Sequence, residues 1–249
     1  QVAAVVHKAR RFDIASLNSL VLQSTLLPKN LPSIEGLAVH TRYVAASEAL
    51  EVGGDFFDVV ELPDHRVAFM IGDVSGHDRD AAALMGQLRS AARALVGRVS
   101  SPAAMITALQ DCWNRLDIDR MATAVFGQLD LSTGELALAS AGHYPPLLVA
   151  AGTAHYVTLT PSSPLGIRAE EPTEWRGRLE VFQALLLYTD GAIDERGKGS
   201  ERSMRDLARA TVDGARSRIE LAAICDGVVA ALPARRHDDV ALLALRLER

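Results

Sequence analysis

Apolar positions along the chain predict β-strands over much of its length and helices in several stretches. Apolar residues at helical spacing predict helices at Ala3–Leu27, Arg79–Val96 and Pro102–Leu116, and two helical pieces divided near Gly214 within Ser203–Leu232. Alternating or continuous apolar runs predict strands at Leu37–Tyr43, Phe56–Leu62, Val67–Ile71, Ala124–Leu129, Glu135–Ala139, Leu147–Ala150, Ala184–Tyr188 and Val240–Leu247.

Two of the connections between these strands are too short for parallel pairing. Pro63–His65 and Ser132–Gly134 span only a few residues, whereas parallel neighbours need a crossover of about a dozen residues or more. The predicted fold class is therefore α+β, with mostly antiparallel sheet and helices packed outside it. No Gly/Ser/Pro-rich linker divides the sequence, so we expect one core.

Composition narrows the classes of function. The 249 residues are 49% hydrophobic and carry a net charge of −5, which argues against a nucleic-acid partner because binding to phosphate backbones needs a concentrated basic face. The longest apolar runs fall well short of the ~20 residues that span a bilayer, so we expect no membrane segment. Cys112 and Cys225 are far apart in sequence and indicate a reducing, cytoplasmic location.

Aspartates stand at the ends of the predicted core strands. Asp73 and Asp190 each close an apolar run, Asp55 precedes one, and Asp238 and Asp239 open the last. If these ends converge, each pair of like charges about 4 Å apart costs roughly 4 kcal/mol at an effective dielectric of about 20. Hard divalent cations prefer carboxylate and carbonyl oxygens, so the residues predict a pair of Mg²⁺ or Mn²⁺ ions.

Glycines beside these acids allow backbone to approach a metal closely, and the loop Asp73–Gly76 has both a carboxylate and the Val74 carbonyl to offer. The alternative is that aspartates next to glycine simply mark turns. Asp64 and Asp130 are interpreted in that way, and Asp78 as a cap of the helix that follows it.

Five ordered motifs resemble those of PPM-type (protein phosphatase 2C-like) serine/threonine phosphatases. The motifs are Gly53–Asp58 (GGDFFD), Gly72–His77 (GDVSGH), Ala141–His143 (AGH), Tyr188–Gly191 (YTDG) and Asp238–Val240 (DDV). They are most similar to the bacterial stage II sporulation protein E branch, and the resemblance runs from about Ser24 to Leu247. It implies a sandwich of two antiparallel β-sheets flanked by α-helices, with residues 1–27 as an entry helix from an upstream sensor domain and 28–249 as the phosphatase domain.

The resemblance also implies a role for each acidic position. Asp55, Asp73 and the Val74 carbonyl match ligands of one metal ion, and Asp73, Asp190 and Asp238 match ligands of a second. Asp239 is expected to support Asp238, and it is the alternative ligand. Two Mn²⁺ or Mg²⁺ ions per domain would activate a water molecule, which makes the four aspartates Asp55, Asp73, Asp190 and Asp238 the catalytic set. Asp78 stands where the family usually has glycine.

The implied function is that of a protein serine/threonine phosphatase within a larger regulator. Its implied partner is a phosphorylated anti-sigma-factor antagonist in a stress or sporulation-type sigma-factor pathway, with sensor and anti-sigma kinase domains fused or separate, and a homodimer formed through the entry helix. Two other hypotheses remain, a pseudophosphatase that docks a partner and a two-metal hydrolase of a small phosphoester.

The pair Arg89 and Arg93 is interpreted as a solvated helix face, and His143 as a structural histidine rather than a general acid.

Overall fold

The structure is a computed structural model that describes residues 26–28, 31–46, 53–115, 118–160, 162–167, 171–193, 200–214, 220–234 and 236–248. In chain order its strands are β1 (Leu37–Val44), β2 (Phe56–Leu62), β3 (Arg66–Val74), β4 (Ala122–Asp130), β5 (Glu135–Ala141), β6 (Leu147–Ala150), β7 (Thr153–Tyr156), β8 (Trp175–Arg178), β9 (Ala184–Tyr188) and β10 (Val240–Leu247). The helices are α1 (Arg79–Leu95), α2 (Pro102–Arg115), α3 (Ser200–Gly214) and α4 (Leu221–Ala231).

The strands form two five-stranded sheets in which every pairing is antiparallel. One sheet has the order β1-β10-β9-β6-β7 and the other the order β2-β3-β4-β5-β8. This arrangement confirms the predicted α+β class and the expected sandwich. The two predicted hairpins join β2 to β3 and β4 to β5, as their short loops require.

The sheets stack face to face and bury one apolar layer between them. Side chains such as Phe69 and Ile71 from β3 meet Leu243 and Leu245 from β10 in this layer. The opposite faces of the sheets are covered by helices, α1 and α2 on one side and α3 and α4 on the other. Because both faces of the central strands are buried, these strands are almost continuously apolar in sequence.

The predicted elements agree with the structure within a few residues, with two omissions. Strands β7 and β8 were not predicted, and both are four-residue edge strands with half-exposed side chains. The entry helix predicted at Ala3–Leu27 lies almost entirely outside the described residues. Within the described part of the chain, no helix combines the length and the apolar character needed to cross a bilayer.

Candidate metal centre

Four strand ends meet at one edge of the sandwich and position the acidic side chains. In the antiparallel pair β2–β3, Phe56 lies opposite Gly72, which places the start of β2 beside the end of β3. In the pair β9–β10, Tyr188 lies opposite Leu242, which places the end of β9 beside the start of β10. Antiparallel pairing therefore brings residues that are distant in sequence together at the rim of each sheet.

Three of the predicted ligands converge there. Asp55, Asp73 and Asp190 each present a carboxylate oxygen, and the three oxygens lie within 4.8 Å of one another. The oxygens of this acidic cluster have the number and chemistry of a divalent-cation site. Asp238 is not part of this group, although its charge acts on Asp73. Its place as a ligand remains a prediction.

Asp55 is the most deeply buried member of the cluster. Its side chain is 1% exposed, and one carboxylate oxygen accepts a hydrogen bond from the Thr189 hydroxyl at 2.7 Å. The other oxygen, Oδ1, is buried and has no hydrogen-bond partner among the described residues. Burial, followed by the nearby Asp73 charge, raises the pKa of Asp55 well above its usual range. A cation would satisfy both the unpaired oxygen and the excess negative charge.

The environment of Asp73 has the same character. Burial and the charges of Asp190, Asp238 and Asp239, in that order, raise the pKa of the Asp73 carboxyl to about 8. The charges that raise this pKa all belong to other acids, so these described neighbours repel the Asp73 carboxylate and provide no compensating positive charge. The donor set is all carboxylate and carbonyl oxygen, which suits Mg²⁺ or Mn²⁺ and gives a poor site for softer metals.

Two glycines let the backbone close around the cluster. A β-carbon on Gly54 would clash with the Val74 carbonyl oxygen and would lie 2.6 Å from Asp73 Oδ1, and one on Gly53 would clash with the Asp239 carboxylate. The Val74 carbonyl therefore faces the segment that carries Asp55. This close approach explains why the two positions that precede Asp55 need glycine.

Asp239 connects the cluster to the end of β1. Its carboxylate accepts hydrogen bonds from the Tyr43 hydroxyl at 2.7 Å and from the Ala46 amide at 2.6 Å. Both oxygens are thereby engaged in hydrogen bonds, and the role of Asp239 as a support for Asp238 stays a prediction. Tyr43 and Thr189 contact acidic residues of this candidate site and were not predicted from the sequence. Thr189 lies inside a recognised motif, whereas no sequence signal distinguishes Tyr43.

His143 is held between two sheets in a structural role. Its Nε2 lies 3.0 Å from the Tyr188 carbonyl, and its Nδ1 lies 2.7 Å from the Thr123 hydroxyl. Because a carbonyl only accepts, Nε2 carries the proton and Nδ1 accepts from the threonine. Burial lowers the pKa of His143 to about 4, so the ring is neutral near pH 7.

The pair Arg89 and Arg93 is not a solvated helix face, and that interpretation was wrong. Arg93 donates to both oxygens of Asp58 at 2.8 Å, and Arg89 donates to one of them at 3.2 Å. The Asp58 side chain is fully buried on β2. The two arginines therefore tie α1 to the strand that begins at the acidic cluster.

Asp78 has the predicted capping role. It accepts a hydrogen bond from the Ala81 amide at 2.8 Å, which caps the first turn of α1, and it also pairs with Arg120 at 2.7 Å. Asp130 accepts from the Ser132 and Thr133 amides, and Asp64 has a positive φ of 61° at the β2–β3 connection. The predictions that these two residues form turns are confirmed.

The sequence and the fold both match known proteins. The family model of stage II sporulation protein E matches residues 63–248. Among characterised proteins, the chain is 25% identical over 216 residues to Protein IcfG of Synechocystis sp. and 27% identical over 165 residues to the phosphoserine phosphatase RsbP of Bacillus subtilis. These matches cover 72% and 63% of this chain but only 32% and 40% of the relatives, so the chain spans well under half of their length.

Solved structures with similar folds are also known. A structure of the RsbU and RsbW domains of Rv1364c from Mycobacterium tuberculosis aligns with a TM-score of 0.81 at 33% identity, covering 90% of this chain and 63% of that one. The SiaA-PP2C domain of Pseudomonas aeruginosa shares the fold over 100% of this chain and 99% of its own, with a TM-score of 0.74 at 20% identity. The match over residues 63–248, on a fold shared with PP2C domains, shows that this chain belongs to the stage II sporulation protein E (SpoIIE) family.

Proposed function

We propose that this chain is a metal-dependent protein serine/threonine phosphatase domain that hydrolyses phosphoserine or phosphothreonine with water as the nucleophile. The observation that carries the proposal is the convergence of Asp55, Asp73 and Asp190 oxygens within 4.8 Å, with the buried Asp55 Oδ1 lacking a donor among the described residues. Family membership and the likeness to RsbP, named a phosphoserine phosphatase, support it.

Each residue of the site has a defined task in this proposal. Asp55, Asp73, Asp190 and Asp238, with the Val74 carbonyl, would hold two Mn²⁺ or Mg²⁺ ions. Thr189 fixes the Asp55 carboxylate by its hydrogen bond, and Tyr43 holds Asp239 so that it supports Asp238. When bound, the ions would supply a water molecule of lowered pKa and offset negative charge on the phosphoryl oxygens.

The hydrogen bonds of Ser75 and Ser140 favour direct attack by water over a covalent intermediate on serine. The Ser75 hydroxyl accepts a hydrogen bond from the Met121 amide at 3.2 Å. The Ser140 hydroxyl donates to the His143 carbonyl and accepts from the His143 amide. Among the hydrogen bonds of the described residues, neither hydroxyl is joined to a base that would activate it as a nucleophile.

The proposed substrate is a phosphorylated anti-sigma-factor antagonist, and the proposed setting is a cytoplasmic stress or sporulation-type sigma-factor pathway. RsbU and RsbW domains share a chain in the similar protein from M. tuberculosis, which supports a phosphatase working beside further regulatory domains, fused or separate. The short share of the curated relatives that this chain covers supports a larger regulator with an upstream sensor. A homodimer through residues 1–27 completes the proposal.

Turnover of three substrates by matched variants tests this function. We expect Mn²⁺-dependent release of phosphate from a whole phosphoprotein to exceed release from a phosphopeptide or an aryl phosphate, and Asp190→Asn to abolish it while leaving the circular dichroism spectrum unchanged. Asp64→Asn is the matched control, because it removes a carboxylate at the opposite end of the β2–β3 hairpin.

Full activity in the Asp190→Asn variant would contradict the assignment of the site. Preference for the aryl phosphate would favour a hydrolase of small phosphoesters, and binding of the phosphoprotein without any turnover would favour a pseudophosphatase.

A further inference from the structure

The segment Arg120–Met121 contacts the loop that follows Asp73, and its contacts fix the direction of the Val74 carbonyl. The Ser75 amide donates to the Met121 carbonyl at 2.9 Å. In a planar trans peptide the N–H and C=O bonds point in opposite directions, so the hydrogen bond to Met121 turns the Val74 carbonyl the other way. That direction is toward Gly54 and the segment of Asp55, as the close approach of Gly54 to the Val74 oxygen requires.

The next peptide of the loop is held by the Arg120 side chain. Its Nη1 donates to the Ser75 carbonyl at 3.0 Å, and its Nη2 donates to Asp78 Oδ2 at 2.7 Å. Asp78 also caps α1 through the Ala81 amide. One guanidinium therefore connects the peptide next to Val74 with the first turn of the helix that the loop enters, in the fork geometry that arginine provides.

Arg120 is itself anchored, and the loop is shaped to receive it. The Trp113 indole, on α2, donates to the Arg120 carbonyl at 3.0 Å. Gly76 has a φ of +106°, and a β-carbon there would clash with Arg120 Nη1. Gly76 therefore leaves room for the Arg120 guanidinium. The Arg120 backbone is held by Trp113 of α2, independently of the loop.

We propose that Arg120, paired with Asp78, is a positioning residue that orients the Val74 carbonyl for the metal ion shared by Asp55, Asp73 and Val74. This inference rests on the proposed function, because it takes that metal site as given. It also assigns a purpose to Asp78, whose carboxylate holds the guanidinium in place as well as capping the helix. The charge of Arg120 is paired with the Asp78 carboxylate.

Direct titration of the apoprotein with Mn²⁺, with free ion counted by electron paramagnetic resonance, tests the proposal without relying on activity. We expect the unaltered chain to bind two ions, and Arg120→Ala to weaken one of them about 10-fold or more while leaving the second unchanged, as is typical when a group supporting a metal ligand is removed. Asp78→Ser keeps a capping oxygen but loses the ion pair, and we expect a smaller loss at the same ion.

Arg178→Ala is the matched control, because it removes an exposed arginine of the edge strand β8, which pairs with Glu180 beyond the end of that strand. We expect it to bind both ions normally, and thermal melts in EDTA to show that the variants fold. If Arg120→Ala does not fold, the Asp78→Ser titration decides alone.

The inference would be overturned if Arg120→Ala bound two ions with unaltered affinity. If Arg120→Ala does not fold, the same result for Asp78→Ser would overturn it. Either result would leave the proposed function standing. Normal metal affinity with a raised KM for phosphoprotein would also overturn it, by placing Arg120 at the substrate. Failure of the unaltered chain to bind Mn²⁺ would contradict the proposed function itself.

Discussion

Single residues at the candidate metal centre differ in how easily they can be predicted from the sequence. Asp55, Asp73 and Asp190 could be predicted because each stands beside glycine at the end of an apolar run, and the structure brings all three together. Tyr43 and Arg120 could not, because each acts through a partner distant in sequence that no local pattern identifies. Local chemistry therefore reveals the acidic cluster but not the residues that orient it.

His143 provides a prediction at this scale. Its pKa is about 4 in the folded chain and near 6.5 when unfolded, so between these values the unfolded state binds the proton more readily. The free energy of unfolding should therefore fall as the pH drops below about 6.5, by up to about 1.4 kcal/mol per pH unit from this residue. Urea denaturation of the unaltered chain and of His143→Gln at pH 7, 6 and 5 measures the effect.

The difference between the two chains isolates the histidine, because the acidic side chains titrate in both. Gln cannot take up a proton, so its free energy of unfolding should fall less steeply toward acid than that of the unaltered chain. Equal slopes in the two chains would show that His143 is not buried in its neutral form.

Secondary-structure elements were predicted best where both faces are buried. The apolar runs of β9 and β10 gave their bounds without error, since almost continuous burial leaves a continuous signal. Strands β7 and β8 gave no such signal because each has one partner and exposes every second side chain. The sequence Trp-Arg-Gly-Arg of β8 also contains glycine, which weakens a strand prediction.

The ion pairs between α1 and β2 show the limit of helix patterns. Arg89 and Arg93 lie on the polar side of α1, but the carboxylate they contact is buried on another element 31 and 35 residues earlier. Removing the charge of Asp58 should leave the two arginines without a counter-charge. We expect Asp58→Asn to lower the free energy of unfolding by about 2 kcal/mol, below the 3–5 kcal/mol of fully buried pairs because Arg93 is half-exposed.

Chemical denaturation measures this change, and Glu61→Gln is its control. Glu61 is an exposed acid on the same strand, and its substitution should shift stability by less than about 0.5 kcal/mol. Equal stability of Asp58→Asn and the unaltered chain would mean that the pairs do not hold α1 to β2.

At the scale of the whole molecule, the layered sandwich explains how the site arises. Antiparallel pairing places the start of β2 beside the end of β3 and the end of β9 beside the start of β10. Stacking of the two sheets then brings both rims together, so acids separated by more than a hundred residues meet. The sequence could predict the two hairpins but not the stacking, which was expected only from the family resemblance.

The predicted entry helix bears on assembly. If residues 1–27 pair with those of a second copy and thereby set activity, deletion of residues 1–24 should convert a dimer to a monomer and change the rate of phosphoprotein hydrolysis. Light scattering after size-exclusion chromatography, together with rates at equal protein concentration, measures both. Unchanged mass and unchanged rate would remove the helix from the account.

The central claim is that the rim aspartates hold divalent cations, and anomalous diffraction from crystals soaked in Mn²⁺ tests it most directly. The account predicts two strong peaks among the oxygens of Asp55, Asp73 and Asp190, both lost in crystals of Asp73→Asn, which should remain folded. Crystals that show no peak at this rim, or peaks only at other surfaces, would contradict it.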